Sequence, residues 1–269
     1  MNIKFYYPIW SIGKLPLNDA LYKIKENGYD GAEIALEHPK DFKNIVSMFN
    51  YYDLELLAQH PFAKGKNFSD FRKDYNCRLE EILKINPTLV NCHTGKDYFS
   101  FKENIQLIND AEILADKYNI TITQEIHRGR FSYAPMVIKN YIENFPNIKL
   151  TADFSHWCVV TESLLENHKE AMTLAIKHAA HIHARVGYDE GPQVNDPFAP
   201  EHKEALESHL FWWQQICDYR KQHKHEELVI TCEFGPKPYL QNLPYTQQPV
   251  TDIWNINLKM KSYLKQNLK

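Results

Sequence analysis

A chain of 269 residues, 43% hydrophobic and 24% charged, suits one large globular domain or two small ones and is long enough to bury a real core. Its formal net charge of −3 gives no electrostatic reason to expect nucleic acid as a partner, and no stretch approaches the roughly 20 apolar residues of a membrane span. Lys4 and Pro8 interrupt the first apolar run, which argues against a signal peptide. The five cysteines are odd in number and form no CxxC pair, so free thiols in a reducing cytoplasm are expected.

Along the chain, strand-like runs alternate with amphipathic stretches. IKFYYPIW (3–10) comes first, followed by LNDALYKIKENG (17–28), whose apolar residues recur every three or four positions and whose Gly28 stands where a helix C-terminal cap belongs. DGAEIALE (30–37), LELLAQH (54–60) and TLVNCH (88–93) supply three more strands, and FKENIQLINDAEILADKYN (101–119) is a long helix. ITITQEIH (120–127) and IKLTADF (148–154) precede a helical ESLLENHKEAMTLAIKHAA (162–180), and HIHARVG (181–187) and LVITCEFG (228–235) complete the set. Eight strand–helix units in this length predict a closed parallel (β/α)8 TIM barrel over 1–269. An open doubly wound sheet is the rival, but no Gly-rich nucleotide fingerprint follows the first strand. No linker or low-complexity segment divides the chain, which reads as one domain.

Residues two apart on a strand share a face. In the fifth strand Thr121, Thr123, Glu125 and His127 lie opposite Ile120, Ile122 and Ile126; in the sixth, Lys149, Thr151 and Asp153 oppose Ile148, Leu150, Ala152 and Phe154. The seventh sets His181, His183 and Arg185 against Ile182, Ala184 and Val186, and the eighth sets Val229, Thr231 and Glu233 against Leu228, Ile230, Cys232 and Phe234. Each polar series ends in an ionisable group near the strand's C-terminal end, where barrel active sites lie. Three carboxylates and an imidazole converging there would repel unless compensated, and one divalent cation held by Glu125, Asp153, His183 and Glu233 resolves the conflict. That ligand set suits Mn²⁺ first and also admits Mg²⁺, Zn²⁺ or Co²⁺. Taken singly, each of the four reads better as a satisfied polar group or a surface ion pair; it is the four together at matching strand ends that point to a metal.

QEIHRG, ADFSHW, HIHAR and CEFGP together resemble the strand-end motifs of the xylose isomerase-like barrels, a superfamily that includes ketose 3-epimerases, hydroxypyruvate isomerase, inosose dehydratases and the endonuclease IV branch. The resemblance implies metal ligation by Glu125, Asp153, His183 and Glu233, with Glu125 and Glu233 as the acid–base pair and His156, three residues past Asp153, on the substrate. The epimerases carry their substrate Arg six residues past the strand-seven His. Here that position is Asp189, and Arg185 is the nearest arginine.

His60 and His93 end the third and fourth strands and are read as substrate-binding, as are His127, His156 and Arg185. His60 and His93 also resemble extra metal ligands of the endonuclease branch. His181 lies deeper and reads as a satisfied core histidine. Arg128 and Arg130 read as solvated loop charges, Trp10 as an aromatic wall or core residue, and HKHEE (223–227) as an exposed helix end. Cys92, Cys158 and Cys232 lack a base partner. The expected activity is a metal-dependent isomerase or epimerase acting on a sugar or sugar phosphate by proton transfer through a metal-stabilised enediolate. Three alternatives stay open: an endonuclease IV-like multi-metal phosphodiesterase, an inosose-type dehydratase and a non-catalytic sugar-binding barrel. The loop GYDEGPQVNDP lacks the Asp-x-His pair of the nuclease branch, so no nucleic-acid partner is expected; homo-oligomerisation is left open.

Overall fold

The computed structural model describes residues 1–269. Eight parallel strands close in sequence order into a barrel: β1 (Asn2–Pro8), β2 (Gly31–Ala35), β3 (Glu55–His60), β4 (Leu89–Cys92), β5 (Ile122–Glu125), β6 (Leu150–Ala152), β7 (Ala179–His183) and β8 (Glu227–Thr231). Around them lie α1 (Leu17–Glu26), α2 (Phe42–Tyr51), α3 (Phe68–Leu83), α4 (Phe101–Tyr118), α5 (Pro135–Asn144), α6 (Ser155–Thr161), α7 (Lys169–His178), α8 (Lys203–Gln222) and α9 (Ile253–Asn267). No helix is long and apolar enough to cross a membrane.

Local chemistry sets the helix ends. Ser100 and Glu103 form a reciprocal capping box at the start of α4, and Asn119 closes that helix in the left-handed conformation. Asn67 and Asp252 cap α3 and α9 through their side chains. Gly28, just beyond α1, takes φ +66°, as its cap position requires.

One cluster of 60 buried residues fills the layer between strands and helices. Inside the barrel, Tyr6, Leu57, Leu89 and Val229 form a separate apolar floor. Below it the N-terminal end is closed by Lys4, which pairs with Glu227 at 2.6 Å and with Glu55 at 2.5 Å. The next level is a hydrogen-bonded polar girdle. Thr123 Oγ1 lies 2.7 Å from Thr151 Oγ1, Thr151 lies 3.1 Å from His181 Nδ1, and His181 Nε2 lies 2.9 Å from Thr231 Oγ1. Both nitrogens of His181 are therefore engaged, which is the core role its depth implies. Strands alternate as the sequence pattern requires, so the residues that follow each girdle member by two reach the C-terminal mouth.

Candidate metal and acid–base centre

Glu125 ends β5, Asp153 lies one residue past β6, His183 ends β7, and Arg185 and Glu233 lie two residues past β7 and β8. All five side chains are buried. His183 is the hub. Its Nδ1 stands 2.7 Å from Glu233 Oε2, 3.8 Å from Glu125 Oε2 and 3.9 Å from Asp153 Oδ2. The ligand atoms of Glu125, Asp153 and His183 all fall within 4.8 Å of one another, and Glu233 joins them through His183.

A sixth group, Glu33 on β2, completes the centre from the other side of the ring. Both its carboxylate oxygens approach His183 Nε2, at 3.0 and 3.1 Å. The Asn91 side-chain amide donates to Glu125 Oε2 at 2.6 Å and to Glu33 Oε1 at 3.2 Å, tying the two carboxylates together. Neither Glu33 nor Asn91 was singled out from the sequence, although a lone carboxylate inside the apolar GAEIA strand is the signal that could have found Glu33.

Charge follows from this packing. Burial pushes the Glu33 carboxyl up, but His183 and His181 outweigh it and hold it at about 2. Burial likewise opposes ionisation of Glu125, yet His93 and His183 hold it well below the usual carboxylate range. Asp153 goes the other way: burial raises it, Arg185 pulls it down, Glu233 pushes it up again, and it settles at about 6. For His183, burial is overcome by Glu233, Glu33 and Glu125, which raise it well above an ordinary imidazole.

The donors suit a divalent cation. His183 Nδ1 and Glu233 Oε2 are sealed from solvent and stand 2.7 Å apart without the alignment of a regular hydrogen bond, and Glu125 Oε2 and Asp153 Oδ2 lie within 4 Å of the same imidazole nitrogen. Four carboxylates share the centre with a single permanent cation, Arg185, so negative charge is in excess. Arg185 supplies part of the compensation itself. Its Nη2 donates to Asp153 Oδ2 and lies 3.5 Å from Glu233 Oε2, and its Nε donates to Ser155 Oγ at 3.2 Å.

Above the centre a cavity of about 230 Å³ is lined by Trp10, Gln59, His93, Glu125, His127, Arg185, Glu233 and Tyr239, among others. A larger cleft of about 580 Å³ opens at the N-terminal end of the barrel. Catalytic groups of this architecture collect at the C-terminal face, where the buried carboxylates point, so the smaller cavity is the relevant one. His93 Nε2 is 2.8 Å from Glu125 Oε2, and the His127 ring packs 4.9 Å from His93 and 3.9 Å from His156. His156 Nε2 lies 2.9 Å from Arg185 Nη2. Trp10 Nε1 donates to Glu233 Oε1 at 3.2 Å, which makes the indole a wall of the cavity rather than core.

His60 stands apart from the other expected substrate residues, and this corrects its assignment. Its side chain leaves the barrel on the helix side, where Nε2 meets the Tyr75 carbonyl at 3.0 Å and the two rings pack at 4.7 Å. Gln59, one residue earlier, faces the cavity instead. Arg128 and Arg130 are also not solvated loop charges: both are half-buried, and Arg128 lies over the Tyr239 ring at 5.2 Å. Residues 223–226 are exposed, as expected of a helix end. Burial pushes the Cys92 and Cys232 thiols up to about 12, which removes them as thiolate nucleophiles.

The barrel has the xylose isomerase-like TIM fold. Among solved structures, D-allulose 3-epimerase from Methylomonas sp., in complex with D-allulose, superimposes with a TM-score of 0.67 at 14% identity, covering 99% of this chain and 97% of that one. The probable 3-DHS dehydratase AsbF from Bacillus anthracis gives 0.61 at 13% identity, covering 99% and 100%. Endonuclease IV from Thermus thermophilus gives 0.60 at 11% identity, covering 98% and 99%. At these identities the likeness is one of fold, and the fold serves an epimerase, a dehydratase and a nuclease alike. No protein-family profile matches the chain. A curated relative, the FAD-dependent monooxygenase esdpE from Penicillium shearii, is 25% identical over 148 residues, which is 54% of this chain but only 30% of the monooxygenase.

Proposed function

We propose that the chain is a divalent-metal-dependent sugar isomerase or epimerase in which Glu125, Asp153, His183 and Glu233 hold the ion and Glu125 and Glu233 exchange a substrate proton. One observation carries the reading: two buried carboxylates, Glu125 and Glu233, open into a single small cavity and share one histidine. A bound divalent ion would polarise a substrate carbonyl and make the neighbouring C–H more acidic.

The chain's own residues do the rest. Glu125 is kept ionised by His93 and His183 and is oriented by the Asn91 amide, so it presents an unprotonated carboxylate to the cavity. The same neighbours lower its basicity, which acidification of the substrate C–H by the ion would offset. The Trp10 indole fixes the Glu233 carboxylate at the other side of the cavity. Arg185, held by Asp153 and backed by His156, offers donors to substrate oxygens from the cavity wall. Return of the proton to the opposite face of the same carbon gives an epimer, and return to the adjacent carbon gives an aldose–ketose pair. Loss of a hydroxyl after the same abstraction would give dehydration, which product analysis separates.

In deuterated water the enzyme should place deuterium on the carbon next to the carbonyl of any sugar it turns over. Glu125→Gln and Glu233→Gln should each lower turnover by at least about 10²-fold, the lower end for acid–base catalysis. Product formed without solvent deuterium would overturn the proton-transfer assignment.

A further inference from the structure

Four of the six arginines have their charge answered by carboxylates or carbonyls. Arg72 grips Asp110 through two bonds of 2.6 and 2.8 Å, and Arg78 meets Asp74 at 2.8 Å. Arg185 is held by Asp153, and Arg220 donates to the carbonyls of Ala179 and Glu227 at 3.1 and 2.9 Å. Arg128 and Arg130 have no such partner. Both belong to the loop between β5 and α5, directly after the cavity-lining His127, and Arg128 lies over the ring of Tyr239, another wall of the cavity.

Arg128 Nη1 reaches only His156 Nδ1, at 3.3 Å, while Arg185 Nη2 claims the other ring nitrogen at 2.9 Å. A neutral imidazole accepts at one nitrogen alone, so His156 cannot satisfy both. Arg185 already has Asp153, and the donor left over belongs to Arg128. Arg130 Nε is sealed from solvent without a partner, and burial depresses its guanidinium, opposed only by more distant groups such as Glu125 and Asp97. Burial and the Arg130 charge also depress neighbouring Lys96, which forms no ion pair. Half-burying cations without counter-charge is costly, and a ligand that brings an anion recovers that cost.

We propose, on the proton-transfer reading above, that the substrate is an anion whose carboxylate or phosphate is taken by Arg128 and Arg130 while its carbonyl–hydroxyl end faces Glu125 and Glu233. The field of the site orients such a molecule. The four carboxylates of the centre repel the anionic end, and the two loop guanidiniums draw it away from them. A neutral sugar would gain nothing from either and would leave both guanidiniums unpaired. Arg128 and Arg185, over the Tyr239 ring at 5.2 and 4.4 Å, present their planar forks from a fixed aromatic platform.

Calorimetric titration of the purified protein tests this with size-matched probes: D-gluconate against D-sorbitol, and D-fructose 6-phosphate against D-fructose. At least one anion should bind about tenfold or more tightly than its neutral counterpart, with an affinity that falls as salt is raised. Preference for gluconate identifies a carboxylate, and preference for fructose 6-phosphate identifies a phosphate. In the Arg128→Gln/Arg130→Gln variant the preference should shrink to within about twofold. Neutral and anionic probes binding alike, no binding by any of the four, or a preference that survives the double substitution would each overturn the proposal. Because binding is read without turnover, an anion-selective protein that exchanges no deuterium would remove the proton-transfer reading and leave the anion site standing.

Discussion

Glu33 is the residue through which the centre is braced from behind. Both its oxygens sit about 3 Å from His183 Nε2, so the ring is gripped at one nitrogen while the other faces Glu125, Asp153 and Glu233. A carboxylate on the far nitrogen fixes the orientation of a ligating imidazole and makes it a better donor. Glu33→Gln keeps the size and one acceptor but removes the charge. Manganese affinity, measured by titration, should fall about 10- to 100-fold while the secondary structure is unchanged. Undiminished affinity would mean that Glu33 only fills the barrel. Parity also separates His60 from His93: His60 ends β3 and His93 lies one residue past β4, but His60 follows Leu56 and Ala58 on the outer face, whereas His93 follows Asn91 on the inner one. Parity, not position at a strand end, decides what reaches the cavity.

Alternation made the girdle and the mouth readable over β5 to β8 because a period of two is rigid: once Thr123 faces inward, Glu125 must as well. The loops carry no such period. Trp10, Arg128 and Tyr239 reach the cavity by paths that depend on packing, so the sequence left Trp10 open between wall and core and gave no sign of the other two. Gly235 illustrates this. A Cβ there would stand 1.6 Å from Trp10 Cη2 and 2.1 Å from Cζ3, so the glycine is what allows the indole to lie against the end of the eighth strand and donate to Glu233. Gln193, from the loop after β7, locks the position by accepting from the Gly235 N–H at 2.8 Å and donating to its carbonyl at 2.9 Å. An indole has no flexible end with which to yield. Gly235→Ala should therefore cost about 1–3 kcal/mol in urea unfolding and depress activity through the displaced Trp10. Adding Trp10→Ala to that variant should restore part of the lost stability, as expected of two groups in direct contact. A double variant no more stable than Gly235→Ala alone would exclude the clash as the cause.

Across the whole molecule, the helix shell is fastened to the barrel partly through neutral histidines, and this sets the acid limit of the fold. His60 joins β3 to the Tyr75 carbonyl of α3, and burial depresses it to about 3. His209 on α8 hydrogen-bonds the Ala205 carbonyl at 2.8 Å through Nδ1 and accepts the Gly187 N–H at 3.3 Å through Nε2. Burial lowers it to about 4, against a partial opposing pull from Ala205. In the unfolded chain both would titrate near 6.5. Above that pH neither state is protonated, and their contribution to stability is fully present. As pH falls below it, the unfolded chain takes up protons that the folded one refuses, so stability is lost progressively down to the folded values. Each group removes about 1.4 kcal/mol per pH unit within its window. The unfolding free energy should consequently fall between pH 6.5 and 5, before ordinary carboxylates titrate. Urea titrations of His209→Gln across that range should show a slope shallower by close to one proton than the wild type, even though the variant is less stable at neutral pH. Parallel slopes would show that His209 is protonated in the fold or freely hydrated, and the acid limit would then have to come from other groups.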